Sequence, residues 1–497
     1  MPDIFVLENG EEKRIEYAVG ESLLQILRQG NFHVSSPCGG NGTCGKCRVQ
    51  IKGNGFVNSC SYYPNSDLKV VLPNKREEKI LTNQYQNTLH LPLKTAPFIS
   101  QEAYPLGLAI DIGTTSIVFY WVSLISGSIL KTKGIGNPQS KYGADVISRI
   151  SYSNTTGGIE KLQQEIIGAI NQQIKEYTEK EDIARENLVK ISVSANTTML
   201  HMLLGVDPMS IALAPFKPKF TEAKCVKASE LNIKAHQDAT IHLLPSISAY
   251  VGADIVSGLA SLQPSSDIKK YLFIDIGTNG EMAVVTPNKI YCCATAAGPA
   301  FEGANISCGM GAFDGAISVY NKDGYQTISG DKPVGLCGSG LLDAVAYLLD
   351  NKMILSDGEL ANDFVLAKAE ESGTGENIVV TPQDIREVQL AKSAIITGVK
   401  ILLQAAGITV DDLDAVYVAG GFGNYMNPES AVKVGLLPAE VAGKIVMVGN
   451  TSGAGVVLHV ISDDFDNYLN AIVEKCENIE LSKHAEFELE FAMNMFF

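Results

Sequence analysis

Four cysteines spaced Cys38-x5-Cys44-x2-Cys47-x12-Cys60, three of them in the run SPCGGNGTCGKC, are the residues of this chain best suited to chemistry. Their spacing lets four thiolates converge from one tight loop, as a [2Fe-2S] cluster requires. Gly39, Gly40, Gly42 and Gly45 leave backbone N–H groups free to face the sulfides. Structural zinc is the competing chemistry for four cysteines, but zinc loops rarely need so many glycines. A second set of residues suits phosphate. Leu108-Ala-Ile-Asp-Ile-Gly-Thr-Thr-Ser116 and Leu272-Phe-Ile-Asp-Ile-Gly-Thr-Asn-Gly280 are near copies, each a hydrophobic strand ending in Asp-x-Gly-Thr and continuing into a second strand. In such a hairpin Gly113 or Gly277 lets the backbone close on a phosphate. Thr114, Thr115, Thr278 and Asn279 donate to it, and Asp111 or Asp275 stands where hydrated Mg2+ would sit. A third segment, Val416-Tyr-Val-Ala-Gly-Gly-Phe-Gly423, runs a strand into Gly420 and Gly421, whose bare backbone admits an adenosine, so the nucleotide expected is ATP. Gly338 and Gly340 are weaker candidates for the same cleft.

The thiolate loop needs a small scaffold. The pattern predicts strands over 4–7 and 13–17 about a turn at 8–11, a helix over 21–29 with Leu23, Leu24 and Ile26 or Leu27 inward, and strands over 47–51 and 68–72. Between Asn74 and Pro105 the hydrophobic period is lost and Pro92, Pro97 and Pro105 appear. A tether of about 20 residues there would reach on the order of 60 Å if extended, and the alternative is ordinary strand packing. The phosphate hairpins need two αβ lobes with helices between them. Small-residue helices over 246–262 and after Thr451-Ser-Gly-Ala-Gly455 suit the cleft, and Ile159, Leu162, Ile166, Ile170 and Ile174 line one helical face. Thr381, Pro382 and Asp384 read as N-cap, first-turn proline and acidic residue of a helix running to Ala406. Near the C-terminus Glu486, Glu488 and Glu490 alternate with Phe487, Leu489 and Phe491, which predicts a last edge strand. The expected segments are 1–83 for the cluster domain, 84–105 for the linker, 106–270 for lobe I and 271–497 for lobe II.

With 497 residues, 45% of them apolar, the chain can fill the cores of several domains. A net charge of −16 makes nucleic acid and anionic lipid poor partners. Met1-Pro2-Asp3 lacks the basic and apolar regions of a secretory signal and no apolar run reaches bilayer length, so a cytoplasmic protein without membrane association is expected. Ten cysteines there argue for metal or redox ligands over disulfides. Cys225, Cys292, Cys293, Cys308, Cys337 and Cys476 show no ligand spacing and read as small core residues, with adjacent Cys292 and Cys293 on opposite faces of a strand. His201 reads as a satisfied core or surface imidazole.

Roughly the first 75 residues resemble the plant-type and adrenodoxin-type ferredoxins, with a first gap of five residues where the plant spacing has four. The three glycine-bearing segments resemble the phosphate-1, phosphate-2 and adenosine motifs of acetate and sugar kinases, Hsp70 and actin, in the same order. The pairing of the two, with the stretches from Asn137 to Arg149, Ala296 to Gly303 and Cys337 to Asp343, resembles the reductive activators of corrinoid-dependent enzymes. Longer members of that family place a further domain where this chain has its linker. The resemblance implies an α/β and α+β multidomain fold: an N-terminal β-grasp ferredoxin-like domain, then a two-lobed actin/Hsp70-like (ribonuclease H-like) ATPase. It implies ATP-dependent, one-electron reduction of inactive Co(II) corrinoid to Co(I). A plant-type cluster sits at about −400 mV, and each 100 mV of unfavourable gap costs about 2.3 kcal/mol. ATP would supply this by favouring a closed state that grips the Co(II) partner.

The implied roles follow residue by residue. Cys38, Cys44, Cys47 and Cys60 hold the cluster, Asp111 and Asp275 orient Mg2+ and water, and the hairpin threonines and Asn279 grip phosphate. The implied partners are a corrinoid protein of a methyltransferase system and an upstream low-potential electron donor, with a homodimer left open. The Ala296 to Gly303 loop either senses nucleotide or is a helix-start turn with Glu302 in a salt bridge, and Asp145 and Arg149 either serve the site or pair at i, i+4. A ferredoxin-fused small-molecule kinase, an activator of a 2-hydroxyacyl-CoA dehydratase type enzyme and an actin-class scaffold are the competing readings.

Overall fold

The computed structural model describes the chain except residues 1, 9–10, 31, 33, 35, 37–39, 41, 43–46, 53–54, 73–88 and 95–103, and the side chain of Asn424. Cys38, Cys44, Gly39 and Gly45 lie outside the described residues, as do the centre of the predicted turn at 8–11 and most of the linker.

The N-terminal domain contains β1 (Asp3–Glu8), β2 (Glu11–Glu16), α1 (Leu23–Gln29), β3 (Arg48–Ile51), β4 (Gly55–Asn58) and β5 (Leu68–Val71), in the sheet order β2-β1-β5-β3-β4. β1 and β5 run parallel at the centre, with Ile4 opposite Leu68. Ser22 and Gln25 cap α1 reciprocally, which fixes its start, and Leu23, Leu24, Ile26 and Leu27 all go inward. β4 is absent from the sequence pattern because its side chains are mostly exposed and carry no alternation.

Lobe I is built from β6 (Leu106–Ile112), β7 (Ser116–Ser123), β8 (Ile129–Gly136), α2 (Val146–Ser153), α3 (Gly158–Lys180), β9 (Leu188–Ala195), α4 (Thr197–Leu204), α5 (Met209–Ala212), β10 (Lys224–Lys227), β11 (Thr240–Leu243) and α6 (Ala253–Ser261). Lobe II follows with β12 (Tyr271–Ile276), β13 (Gly280–Val285), β14 (Ile290–Thr295), β15 (Ala316–Asn321), β16 (Gly324–Thr327), β17 (Gly335–Leu336), α7 (Gly338–Asp350), β18 (Phe364–Ala367), β19 (Ile378–Val380) and α8 (Pro382–Ala406). It closes with β20 (Ala415–Ala419), α9 (Pro428–Val434), β21 (Ile445–Gly449), α10 (Thr451–Ile461), α11 (Phe465–Lys475), β22 (Cys476–Asn478) and α12 (Phe487–Met493).

The duplication seen in the motifs extends to whole sheets. In lobe I the order is β10-β11-β9-β6-β7-β8 and in lobe II it is β21-β20-β12-β13-β14-β22, so an antiparallel meander is flanked by two parallel strands in both. Asp111 stands opposite Ser194 on β9, as Asp275 stands opposite Ala419 on β20.

α10 crosses into lobe I, and α6, which also contributes Ala253, Val256 and Ala260 to the lobe I core, lies between the two sheets. α10, late in the chain, buries Val456 and Val460 in the lobe I core, while α6 places Ile255 and Leu259 against Phe273 and Tyr417 of the lobe II sheet. The two helices meet where side chains are smallest: a Cβ on Gly455 would lie 2.3 Å from the Ser257 carbonyl oxygen, and one on Gly258 would lie 2.7 Å from Thr451 Oγ1. α6 is shorter than the expected 246–262 helix. Residues 246–252 turn instead, with the amides of Ile247 and Ser248 both donating to the Val251 carbonyl.

Two expectations need correction. The predicted terminal strand is the helix α12. Its Phe487 and Phe491 meet as an i, i+4 pair with ring centroids 6.0 Å apart, while Leu489 and Met493 stay 67% and 62% exposed. Helical spacing overrides the short alternation because this segment covers α8: Gln389 Nε2 donates to the Met495 carbonyl at 2.8 Å, and Lys392 and Ser393 donate to Phe496 and Phe491 carbonyls. The second correction concerns the tether, whose residues 89–94 pack on the ATPase. The Leu89 amide donates to Ser261 O at 2.8 Å, Lys94 N donates to Ile461 O at 2.9 Å, and Lys94 Nζ pairs with Asp464 at 2.7 Å. Among the described residues one helix, α8, is long and apolar enough to cross a bilayer, but 78% of its apolar window is buried inside lobe II.

Candidate functional site

Both phosphate hairpins close on their glycine: the Gly113 amide donates to Ser116 O at 2.8 Å and the Gly277 amide to Asn279 O at 2.9 Å. The first turn is clamped from below by the Asn137 to Arg149 stretch. Asn137 Nδ2 donates to Gly113 O at 2.8 Å, and Arg149 donates to Thr114 O at 2.6 Å and Gly143 O at 2.8 Å. Arg149 is fully buried, and desolvation pulls its guanidinium down to about 10. Of the two alternatives for Asp145 and Arg149, the i, i+4 ion pair is not formed, and Asp145 instead caps α2 through the Ser148 amide. Asn196, the N-cap of α4, completes the clamp with a 3.1 Å hydrogen bond to Thr114 Oγ1.

Among the described residues Glu302 has no salt-bridge partner. Its Oε2 accepts hydrogen bonds from Thr115 Oγ1 at 3.2 Å and Thr278 Oγ1 at 2.9 Å, one hydroxyl from each lobe. The carboxylates beneath this bridge crowd one another. Asp111 accepts from Asn450 Nδ2 at 2.8 Å and Ser452 Oγ at 2.7 Å at the start of α10, yet desolvation still raises its pKa. Asp254, in the first turn of α6, is pushed up to about 7 by desolvation and by Asp111. Asp275 is also pushed up to about 7, by desolvation and then by Asp254 and Asp111. Desolvation, then Asp254 and Asp275, hold Glu281 well above its usual range. A cleft with this many acids accepts a triphosphate only together with a cation, so the donor set fits Mg2+. No three acid, His or Cys groups converge as direct metal ligands among the described residues.

In the third glycine segment, Gly420 has φ +90°, and a Cβ there would lie 2.5 Å from Asp275 Oδ1 and 2.7 Å from Ile276 O. Gly421 faces open space. Phe422 stacks on Phe301 with centroids 4.4 Å apart, and a Cβ on Gly338 would lie 2.0 Å from Phe301 O. Gly340 lies against the backbone of Ile317 in β15.

At the other end of the chain, Cys47 and Cys60 are both buried, and the Cys60 amide donates to Cys47 Sγ at 3.4 Å. The β3–β4 hairpin explains how a gap of 12 residues suffices, since pairing of Arg48 with Asn58 returns the chain beside Cys47. Gly40, at φ +100°, lies beside Leu24 and Cys60. Two thiols with an N–H···S contact and a left-handed glycine next to them fit a cluster loop. Of the remaining cysteines, Cys292, Cys293 and Cys337 are buried and Cys308 and Cys476 half-buried, but Cys225 is exposed on β10, the edge strand of lobe I, and is not a core residue. Cys292 and Cys293 enter different cores, on opposite faces of β14. His201 is buried and satisfied by Thr197 O at 2.7 Å and the Lys219 amide at 3.1 Å.

Sequence reasoning passed over Asp254, Glu281, Asn196, Asn450 and Ser452. Asn450 and Ser452 had a local signal, an asparagine cap directly before the glycine-rich helix start, whereas Asp254 and Glu281 become site residues only through the meeting of the two lobes.

Three family models match in order along the chain: the 2Fe-2S iron-sulfur cluster binding domain over residues 6–68, the RACo middle region over 106–265, and the C-terminal ASKHA domain of RACo over 269–497. The corrinoid activation enzyme RamQ of Eubacterium limosum is 33% identical over 417 residues, 79% of this chain and 70% of that protein. This chain belongs to the RACo family. Another relative, the Co(II) methylated amine-specific corrinoid protein reductase of Methanosarcina barkeri, is 28% identical over 70% of this chain and 68% of its own. A solved structure of a reductive activator for corrinoid, iron-sulfur protein superposes with a TM-score of 0.72 at 30% identity, over 99% of this chain and 98% of that one. As a RACo member the chain combines a 2Fe-2S domain with an ASKHA nucleotide-binding domain, and the fold is the expected ferredoxin-like domain followed by a two-lobed actin/Hsp70-like unit.

Proposed function

We propose that this protein performs ATP-dependent reductive activation of a corrinoid protein, returning Co(II) to Co(I) by one-electron transfer from an upstream low-potential donor. The observation that carries this reading is the meeting of Thr115 and Thr278, from duplicated hairpins of two lobes, over one acidic cleft in a chain that also bears a 2Fe-2S domain. The activities named for its relatives, corrinoid activation and reduction of a Co(II) corrinoid protein, support the same reaction.

The cluster, when bound by Cys38, Cys44, Cys47 and Cys60, supplies a single low-potential electron. The remaining steps belong to the chain's own groups. Gly113, Thr114, Thr115, Gly277, Thr278 and Asn279 grip phosphate, and Gly420 and Gly421 admit the adenosine, with Gly338 and Gly340 bracing that side. Asp111 and Asp275 orient hydrated Mg2+ and water, and Asn450 and Ser452 hold the Asp111 carboxylate in place. Because the two hairpins belong to different lobes, nucleotide held between them favours a closed arrangement. Differential affinity of that arrangement for the Co(II) partner turns binding energy into redox driving force. We assign residues 1–83, 84–105, 106–270 and 271–497 to the cluster domain, linker and two lobes.

The test is anaerobic. Reduced protein is mixed with Co(II) corrinoid proteins with and without Mg-ATP, and Co(I) is followed by absorbance. ATP-dependent Co(I) formation that is lost in Cys60→Ser is expected. ATP turnover with cobalt left as Co(II) in every corrinoid protein tried overturns the reading.

A further inference from the structure

The hydroxyls of Thr115 and Thr278 are the two donors best placed to meet a terminal phosphate from opposite lobes, and both are spent on a single oxygen, Oε2 of Glu302. Glu302 ends the short turn Pro299–Glu302, bounded by Gly298 at φ +78° and Gly303 at φ +79°. The same turn carries Phe301, whose ring stacks at 4.4 Å on Phe422, next to the glycine pair of the adenosine segment. One turn therefore touches both phosphate hairpins and the adenosine side. Burial raises the Glu302 carboxyl, while the Thr278 and Thr115 hydroxyls and the charge of Arg149 oppose that rise and favour the carboxylate, which carries the sign of charge that phosphate brings.

Resting on the nucleotide reading above, we infer that Glu302 is a placeholder for the terminal phosphate of ATP: it bridges the two hairpins and must give up both threonine hydroxyls when a triphosphate arrives. A carboxylate oxygen and a phosphate oxygen are interchangeable acceptors for a hydroxyl, so the two compete for the same donors. A diphosphate does not reach across both hairpins and leaves the Glu302 bridge in place. A triphosphate expels Glu302, and the turn that leaves carries Phe301 with it, which makes the adenosine side report on the terminal phosphate. Glu302 is in this sense a positioning residue, acting through Thr115 and Thr278 to separate ATP from ADP.

The experiment measures, by calorimetry with Mg2+ on the full chain, the affinities of ADP and of the non-hydrolysable β,γ-imido analogue of ATP for wild type, Glu302→Gln and Glu302→Ala. Both variants remove the competing charge, so the analogue is expected to bind on the order of tenfold more tightly, equivalent to about 1.4 kcal/mol. ADP affinity is expected to change less than about threefold, well inside that 1.4 kcal/mol. Glu302→Gln preserves shape and carries the test if Glu302→Ala does not fold. An unchanged ratio of the two affinities, or weaker analogue binding in Glu302→Gln, overturns the inference and makes Glu302 a group that serves bound nucleotide. If wild type binds neither ligand, the nucleotide reading falls and this one with it. If wild type binds both and the ratio does not move, only the placeholder falls.

Discussion

Substituting alanine at Gly420 and at Gly421 separates two reasons for a glycine that sit side by side. At Gly420 the backbone has φ +90°, and a Cβ would come within 2.5 Å of Asp275 Oδ1 and 2.7 Å of Ile276 O. Left-handed backbone costs an L-residue about 1–2 kcal/mol, and the overlap with a carboxylate and a carbonyl costs about 1–3 kcal/mol more. Each kcal/mol moves the melting temperature of a lobe of this size by about 2–4 °C, so Gly420→Ala should lower Tm by roughly 10 °C. It should also weaken nucleotide binding, because Asp275 must move aside. At Gly421 a Cβ meets nothing within 4 Å, so Gly421→Ala should leave the nucleotide-free Tm within about 1 °C of wild type. If adenosine passes over that backbone, the added methyl intrudes on the ligand alone, and affinity for ATP and ADP should fall together by about tenfold or more. Scanning calorimetry without nucleotide and titration calorimetry with each nucleotide read the two effects separately. A Gly421→Ala protein that binds both nucleotides like wild type would refute the placement of adenosine at this glycine pair.

Two further outcomes follow from the cleft and the C-terminal segment. Asp254 and Asp275 titrate near 7 in the folded protein against an ordinary 3.8, so between those values the native state holds protons that the unfolded chain has lost. Stability of the nucleotide-free protein should therefore fall as pH rises through that window and level off above it. Mg-ATP favours the ionised carboxylates and should raise Tm more at pH 8 than at pH 5.5, and equal increments would show that these carboxyls do not meet the cation. Deleting residues 485–497 strips Lys392 and Ser393 on the buried helix α8 of their carbonyl partners and leaves Gln389 only its bond to the Asp357 carbonyl. At about 1–3 kcal/mol for each of the two orphaned groups, the truncated protein should melt on the order of 10 °C lower by circular dichroism, and an unchanged melt would contradict the packing of α12.

What could be read in the sequence was what the chain writes locally. The two Asp-x-Gly-Thr hairpins, the Thr381–Asp384 cap and the inward face of α3 each depend on residues within a few positions of one another, and each forms where the pattern puts it. Glu302, Asp254 and Arg149 acquire their roles from contacts with parts of the chain that are distant in sequence, and no spacing rule marks such meetings. The alternation at 486–491 misled because a period of 2 and an i, i+4 pair share Phe487 and Phe491. Only the open carbonyl acceptors offered to Gln389, Lys392 and Ser393 decide between them. β4 was hidden for the opposite reason, since a strand with mostly exposed side chains has no hydrophobic rhythm.

The two helices at the lobe interface also join the cleft to the linker. At about 1.5 Å per residue, α6 and α10 are rods of about 13 and 16 Å. Each has one end in the cleft, at Asp254 and at Asn450 and Ser452, and the other end hydrogen-bonded to the segment 89–94, at Ser261 and Ile461. That segment is the route from the ferredoxin-like domain into the ATPase. The two rods cross at Gly258 and Gly455, where a Cβ would meet the other helix, so the close approach that packs them against each other depends on glycine. Segment 89–94 is thereby tied to the far ends of two helices whose near ends lie at the cleft, so a change in the spacing of those helices would be felt at the point where the chain enters the ATPase.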